Sequence, residues 1–153
     1  MISKRLFFST LFYSTIVFAQ SSIGMDLSFD HQAYPVKNLE KMGDFYRDIF
    51  GFQEIPAGAG MNPPKRWLKN EEGAEMHLIL NKSQAKASPK VYHIAFTVKD
   101  MDAFMRHLQK MKVPFGDWSG KNEKYQIRAD GGAKQIYLQD PEGNWIEINQ
   151  KID

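Results

Sequence analysis

Two stretches of this chain repeat one another, and the repeat limits the folds open to it. His31-Gln-Ala-Tyr-Pro-Val-Lys-Asn-Leu-Glu40 aligns without a gap on His93-Ile-Ala-Phe-Thr-Val-Lys-Asp-Met-Asp102, at an offset of 62 residues. A second pair recurs at an offset of 70, Trp67-Leu-Lys-Asn-Glu-Glu-Gly-Ala-Glu-Met-His-Leu78 against Tyr137-Leu-Gln-Asp-Pro-Glu-Gly-Asn-Trp-Ile-Glu-Ile148. Each first stretch opens with a histidine. In the second frame His77 falls opposite Glu147. The chain therefore reads as two related halves, one contributing His31 with His77 and the other His93 with Glu147.

At 153 residues there is room for one domain made of two half-modules, with a core that needs no staples. Lys4-Arg5 followed by the apolar and hydroxyl-rich run Leu6 to Phe18, with Val17-Phe18-Ala19 at its end, has the layout of a secretory signal. The expected division is a signal peptide over 1–19, a short tether over 20–26 and a folded domain over 27–150, its half-modules near 27–81 and 91–150. That places the protein in a secreted or periplasmic location. The chain has 20 Lys and Arg against 18 Asp and Glu, and Lys4 and Arg5 lie in the leader, so the remainder is balanced. A balanced chain without a basic block gives nucleic acid and an anionic membrane no electrostatic hold. With no cysteine there is neither a disulfide framework nor a lipid-modified thiol.

Alternation marks Leu27 to Tyr34 as a strand. Asn38 is a helix N-cap, and Leu39, Met42, Phe45, Tyr46, Ile49 and Phe50 follow at helical spacing until Gly51. The Pro- and Gly-rich stretch 56–65 is a loop, either a flap over a site or a plain connection. Arg66 to Lys69 and Glu75 to Leu80 read as strands, and 81–90 as a linker. The second half repeats the plan: a strand over Tyr92 to Val98, an Asp100 cap, and a helix with Met101, Phe104, Met105, Leu108 and Met111 inward that Pro114 stops. Phe115 to Asn122 is loop-like. Strands follow at Tyr125 to Ala129, Lys134 to Gln139 and Trp145 to Asn149, with turns at Gly131-Gly132 and Asp140-Pro141-Glu142-Gly143. The fold class is α+β: two βαβββ modules forming one curved mixed sheet, with a helix outside each half.

Three of the four histidines occupy repeat-related strand positions; the fourth, His107, reads as a helix surface residue. Pseudo-twofold symmetry is expected to bring His31, His77, His93 and Glu147 to a common centre. Imidazole and carboxylate together suit one divalent metal ion, Zn or Ni first, then Fe, Mn or Co. Four protein ligands in a roomy cup leave a position open for water or substrate, the pattern of a catalytic metal. Glu147, the only carboxylate of the set, is the first choice of general base.

These residues resemble the vicinal oxygen chelate superfamily, which includes glyoxalase I, fosfomycin-resistance proteins, extradiol dioxygenases and bleomycin-binding proteins. The resemblance spans about Leu27 to Gln150. It is carried by Phe45-Tyr46 with Gly51-Phe52, by Tyr92-His-Ile-Ala-Phe-Thr-Val98 and by Asp140-Pro-Glu-Gly-Asn-Trp-Ile-Glu147. It implies metal ligands at His31, His93 and Glu147, and in glyoxalase I a fourth at His77, where that enzyme carries a carboxylate active in proton transfer. It implies a homodimer, and Asn81 matches an asparagine of glyoxalase I. Pro35 stands where that enzyme has a glutathione-binding arginine.

The expected function is therefore a metal-dependent, glyoxalase-type lyase or isomerase of the lactoylglutathione lyase kind, acting on a small-molecule substrate with vicinal oxygens. His77 and Glu147 are the catalytic candidates, and Asn81, Arg66, Arg128 and Lys134 the substrate-binding ones. The alternatives are an Fe(II) extradiol-type dioxygenase and a non-catalytic binder of the bleomycin-resistance kind.

Overall fold

The computed structural model describes residues 28–57 and 64–152. The expected signal peptide and most of the 56–65 loop lie outside the described residues. In the first half β1 (His31–Val36) leads into α1 (Leu39–Phe50), then β2 (Gln53–Ile55), β3 (Lys65–Lys69) and β4 (Glu75–Leu80). The second half repeats this with β5 (His93–Val98), α2 (Met101–Lys110), β6 (Phe115–Gly116), β8 (Lys134–Gln139) and β9 (Trp145–Gln150), and adds a two-residue strand, β7 (Gln126–Ile127). The halves are the two βαβββ modules of an α+β fold.

Each half builds its own mixed sheet, in the order β1-β4-β3-β2 and β5-β9-β8-β6, with β7 added against β8. The first strand of each half runs parallel to the last, and the repeat reappears in the register. Ala33 pairs with His77 as Ala95 pairs with Glu147. Trp67 lies opposite His77 as Tyr137 lies opposite Glu147. A strand in register alternates its side chains between faces, so this numbering fixes which residues look the same way.

Local chemistry accounts for the helices. Asn38 is extended (φ −140°) and its Oδ1 accepts the Lys41 N–H at 2.9 Å. Asp100 does the same for Ala103 at 2.9 Å; each cap satisfies an orphan donor of a first turn. Gly51 ends α1 at φ +71°, a left-handed turn that favours glycine, and Phe52 turns back into the core. β1 begins four residues later than the sequence pattern suggests and runs through Pro35. An edge strand tolerates proline because its outward N–H has no ladder partner to lose. β6 went unread because Pro114 and Gly116 flank and occupy it, yet Phe115 pairs with Leu138.

Both helices cover the same kind of face. Val36, Leu68, Met76 and Leu78 meet Met42 and Tyr46 of α1, and Ile136, Leu138, Ile146 and Ile148 meet Met101 and Leu108 of α2. The two halves share this core: Phe50 of α1 packs against Phe96 and Phe104 at 5.3 and 5.8 Å between centroids. Burying a side chain of this size contributes about 2 kcal/mol. Glu142 adds a polar clasp between halves, its Oε1 accepting the Lys37 and Asn38 N–H groups at 2.7 and 2.9 Å.

Candidate functional site

Because Leu68, Met76 and Leu78 face α1, their neighbours Trp67 and His77 face the other way. The same count puts Gln135, Tyr137, Glu147 and Asn149 on the helix-free face of the second sheet, with His93 beside them. Each half thus presents its pair of repeat residues on the face turned away from the shared core. The four residues do not meet at one centre. Among the described residues no three His, Asp or Glu side chains stand together as a metal-binding group. The halves join through their helix-covered faces, and that packing keeps the two pairs apart within the chain.

The second pair is the more built. His93 Nε2 lies 3.0 Å from Glu147 Oε2, and its Nδ1 lies 2.8 Å from the Lys90 carbonyl. A carbonyl only accepts, so Nδ1 carries the ring proton. Nε2 then directs a lone pair at an anionic oxygen, and a proton or a cation belongs between them. Two donors about 2.1 Å from one metal stand about 3 Å apart, so the pair fits a metal's donor set. Tyr137 donates to Glu147 Oε2 at 2.7 Å and Asn149 Nδ2 to Oε1 at 2.6 Å. Burial pushes the Glu147 carboxyl up, but these hydrogen bonds and the nearby His93 outweigh it and hold the group below its ordinary range. Burial, together with the hydrogen bond to Glu147, pushes the Tyr137 hydroxyl well above the ordinary phenol value.

In the first pair the rings stack. Trp67 lies 4.2 Å from His77 at 10°, and His77 lies 4.2 Å from His31 at 18°. His77 Nε2 meets Glu75 Oε2 at 3.2 Å, and Glu75 also takes Lys69 at 3.2 Å. His31 Nδ1 meets Asp30 at 2.6 Å. The Trp67 indole N–H is buried without a partner among the described residues, an unmet donor on the site face.

The polar residues singled out for substrate fall in different places. Arg66, adjacent to Trp67, points to the helix side, where Glu54, Glu40 and the Leu39 and Glu40 carbonyls hold its buried guanidinium. Lys134 likewise reaches Asp102 of α2 at 2.7 Å, with Tyr125 beside it. Asn81 folds the turn after β4, accepting from Ser83 and Gln84 and donating to Gln84. Arg128 stays on the site side, paired with Asp130, and Glu147 and Tyr137 are close enough to act on its charge. His107 sits half-buried on α2 beside Phe104.

Lys90 carried no sequence signal. The linker brings its Nζ to 4.4 Å from the Tyr137 and Trp145 rings and 5.1 Å from Trp118, and it donates to the Asp117 and Trp118 carbonyls at 3.1 and 2.9 Å. Burial lowers its pKa. Lys90 pins the segment after β6 over the site face of the second sheet.

The model of the glyoxalase/bleomycin resistance protein/dioxygenase superfamily matches residues 28–148. The chain belongs to that superfamily. Among curated members, the metallothiol transferase FosB of Staphylococcus haemolyticus is 28% identical over 130 residues, covering 78% of this chain and 81% of FosB. Glyoxylase I 4 of Arabidopsis thaliana is 25% identical over 132 residues, covering 79% and 69%. A solved Bacillus anthracis protein described as of the glyoxalase family superposes with a TM-score of 0.64 at 28% identity, covering 82% of this chain and 96% of that one. The superfamily has metal-using members that act on small molecules and often dimerise, and the paired modules of this chain are its fold.

Proposed function

We propose that this superfamily member is a divalent-metal-dependent lyase or isomerase of the glyoxalase type, acting on a small substrate with two neighbouring oxygens. Its site is completed between two copies of the chain, His31 and His77 of one facing His93 and Glu147 of the other. The observation that carries the reading is the His93–Glu147 pair, whose facing lone pair and carboxylate require a cation or proton, matched at register-equivalent positions by His31 and His77. Among the described residues the outer edges of β1 and β5 are unpaired. Phe29, Val91 and Tyr92 beside them are 66, 64 and 71% exposed, a poor ending for a monomer's surface. A second copy is the occupant that completes the ligand set.

His31, His93 and Glu147 would hold the metal, with His77 at the fourth position. When bound, the metal would supply Lewis-acid polarisation of a carbonyl and stabilisation of an enediolate. Glu147, with both oxygens accepting and its pKa lowered, suits an anionic ligand better than a base. His77 is backed by Glu75, a carboxylate that orients the ring. Off the metal, with Nε2 held by Glu75, His77 would have Nδ1 free to take a proton from the carbon beside the carbonyl. Arg128 stands where an anionic substrate group would pass. The signal-like N-terminus supports action outside the cytoplasm, and Pro35 a substrate other than a glutathione adduct.

The test is complementation between two inactive variants. His31→Ala and Glu147→Ala, each alone, should bind little metal. Refolded together, they form mixed dimers in which one of the two sites has all four ligands. Metal content should then return to about a quarter of wild type, half the dimers being mixed. A metal-free wild type, or mixtures no better than their parents, would end this reading.

A further inference from the structure

We infer that Gln126, Gln135 and Asn149 form a one-way chain of amides that fixes the Glu147 carboxylate from behind, and are positioning residues for it. The inference rests on the metal-ligand reading of Glu147 above. The chain begins at the Trp118 backbone N–H, which donates to Gln126 Oε1 at 2.8 Å. Gln126 Nε2 donates to Gln135 Oε1 at 2.6 Å, and Gln135 Nε2 to Asn149 Oδ1 at 2.9 Å. Asn149 Nδ2 closes it on Glu147 Oε1 at 2.6 Å.

Strand register builds this row. Gln126 lies opposite Gln135, and Gln135 opposite Asn149, across β7, β8 and β9. Asn149 is two residues beyond Glu147 on the same face. Both ends dictate the direction: a backbone N–H can only donate and a carboxylate can only accept. Every amide between them therefore has one workable orientation, and turning any one over costs two hydrogen bonds. Gln135, Asn149 and Glu147 are all buried, so water cannot repair a break. Hydrogen bonds aligned this way polarise one another and direct their positive ends at Glu147.

Among the described residues the first half has nothing comparable. The positions equivalent to Gln135 and Asn149 are Lys65 and Ile79, which pair with each other in the same register. Among the described residues, only the half that contributes a carboxylate carries the amide row. Its far end rests on the segment that Lys90 pins, so the placement of that segment and of the carboxylate are tied together.

The experiment is chelator competition for Zn, with unfolding midpoints measured in parallel, on wild type, Gln126→Leu and Gln126→Glu. Gln126 is three hydrogen bonds from Glu147 and half-exposed. Gln126→Leu removes the anchor. Gln126→Glu keeps an acceptor for Trp118 but draws the Gln135 amide round to donate to it, which turns an oxygen toward Asn149 and reverses the row. Both variants should bind Zn on the order of tenfold more weakly, the usual effect of losing an outer-shell partner, with a modest fall in midpoint from the hydrogen bonds lost. A purely structural role would lower midpoints and leave Zn affinity at the wild-type value. Zn affinities within twofold of wild type in both variants would overturn the inference and leave the function standing. A wild type that takes up no metal would overturn both.

Discussion

Gly43→Ala should destabilise this protein, against the usual rule for helices. In a helix interior, Ala is ordinarily about 1 kcal/mol better than Gly, and Gly43 is inside α1. A Cβ added there would stand 2.3 Å from Arg66 Cζ and 2.4 Å from its Nη1. Ordinary carbon contacts are about 3.5–4.0 Å, so the guanidinium must retreat by more than about 1 Å. From its present place Nη1 reaches the Leu39 and Glu40 carbonyls at 3.3 and 3.2 Å. A retreat of that size breaks both bonds. Each hydrogen bond to a charged group contributes about 1.5–3 kcal/mol, and these are long, so the low end applies and the loss is about 3 kcal/mol. The Glu54 pair is half-exposed and adds little. Net of propensity, Gly43→Ala should cost about 2 kcal/mol. In an Arg66→Ala background the obstacle is gone and Gly43→Ala should stabilise by about 1 kcal/mol. The coupling between the two sites is then about 3 kcal/mol, read from urea titrations of the four proteins with m-values checked for constancy. A neutral or stabilising Gly43→Ala in the wild-type background, or a coupling below about 0.5 kcal/mol, would refute the packing described for Arg66.

Other consequences can be measured as directly. Glu142→Ala removes the acceptor of two backbone N–H groups and should cost about 1 kcal/mol in urea unfolding; Glu142→Gln, which keeps a carbonyl oxygen there, should cost less. Glu147 is held below its unfolded value, so its contribution to stability is fully present above about pH 4.3 and is lost as pH falls below that through its lower folded-state value. Thermal midpoints of metal-free protein should therefore drop from pH 5 to 3 more steeply than those of Glu147→Gln, and equal slopes would contradict the hydrogen-bonded carboxylate. Lys90→Met removes two carbonyl contacts and the charge among three rings. Trypsin should then cut after Lys121 and Lys124 several-fold faster than in wild type, with little change in global unfolding.

The two repeat offsets made much of this architecture legible, because a gapless repeat in strands carries register with it. His31 with His77 and His93 with Glu147 stand as equivalent neighbours for that reason. What the repeat could not convey is how one half packs on the other, since that depends on nonlocal contacts such as Phe50 with Phe96. For that reason the four expected ligands do not meet within one chain. Arg66 and Lys134 were misplaced for a simpler cause. Each neighbours a site-face residue, Trp67 or Gln135, and alternation sends adjacent side chains to opposite faces. The same count marks Gln135 and Asn149 as companions of Glu147, a polar run of period two set among Ile136, Leu138, Ile146 and Ile148. Lys90 had no such signal, because a linker has no period.

The exchange of a carboxylate for His77 in one half has a consequence for charge balance. Two identical halves would present either two carboxylates or none at these positions. One carboxylate and three imidazoles would leave a divalent ion with a surplus positive charge that the protein itself does not cancel. Such a centre is left to draw its last negative charge from outside, and an ionised oxygen on an incoming molecule is what would satisfy it.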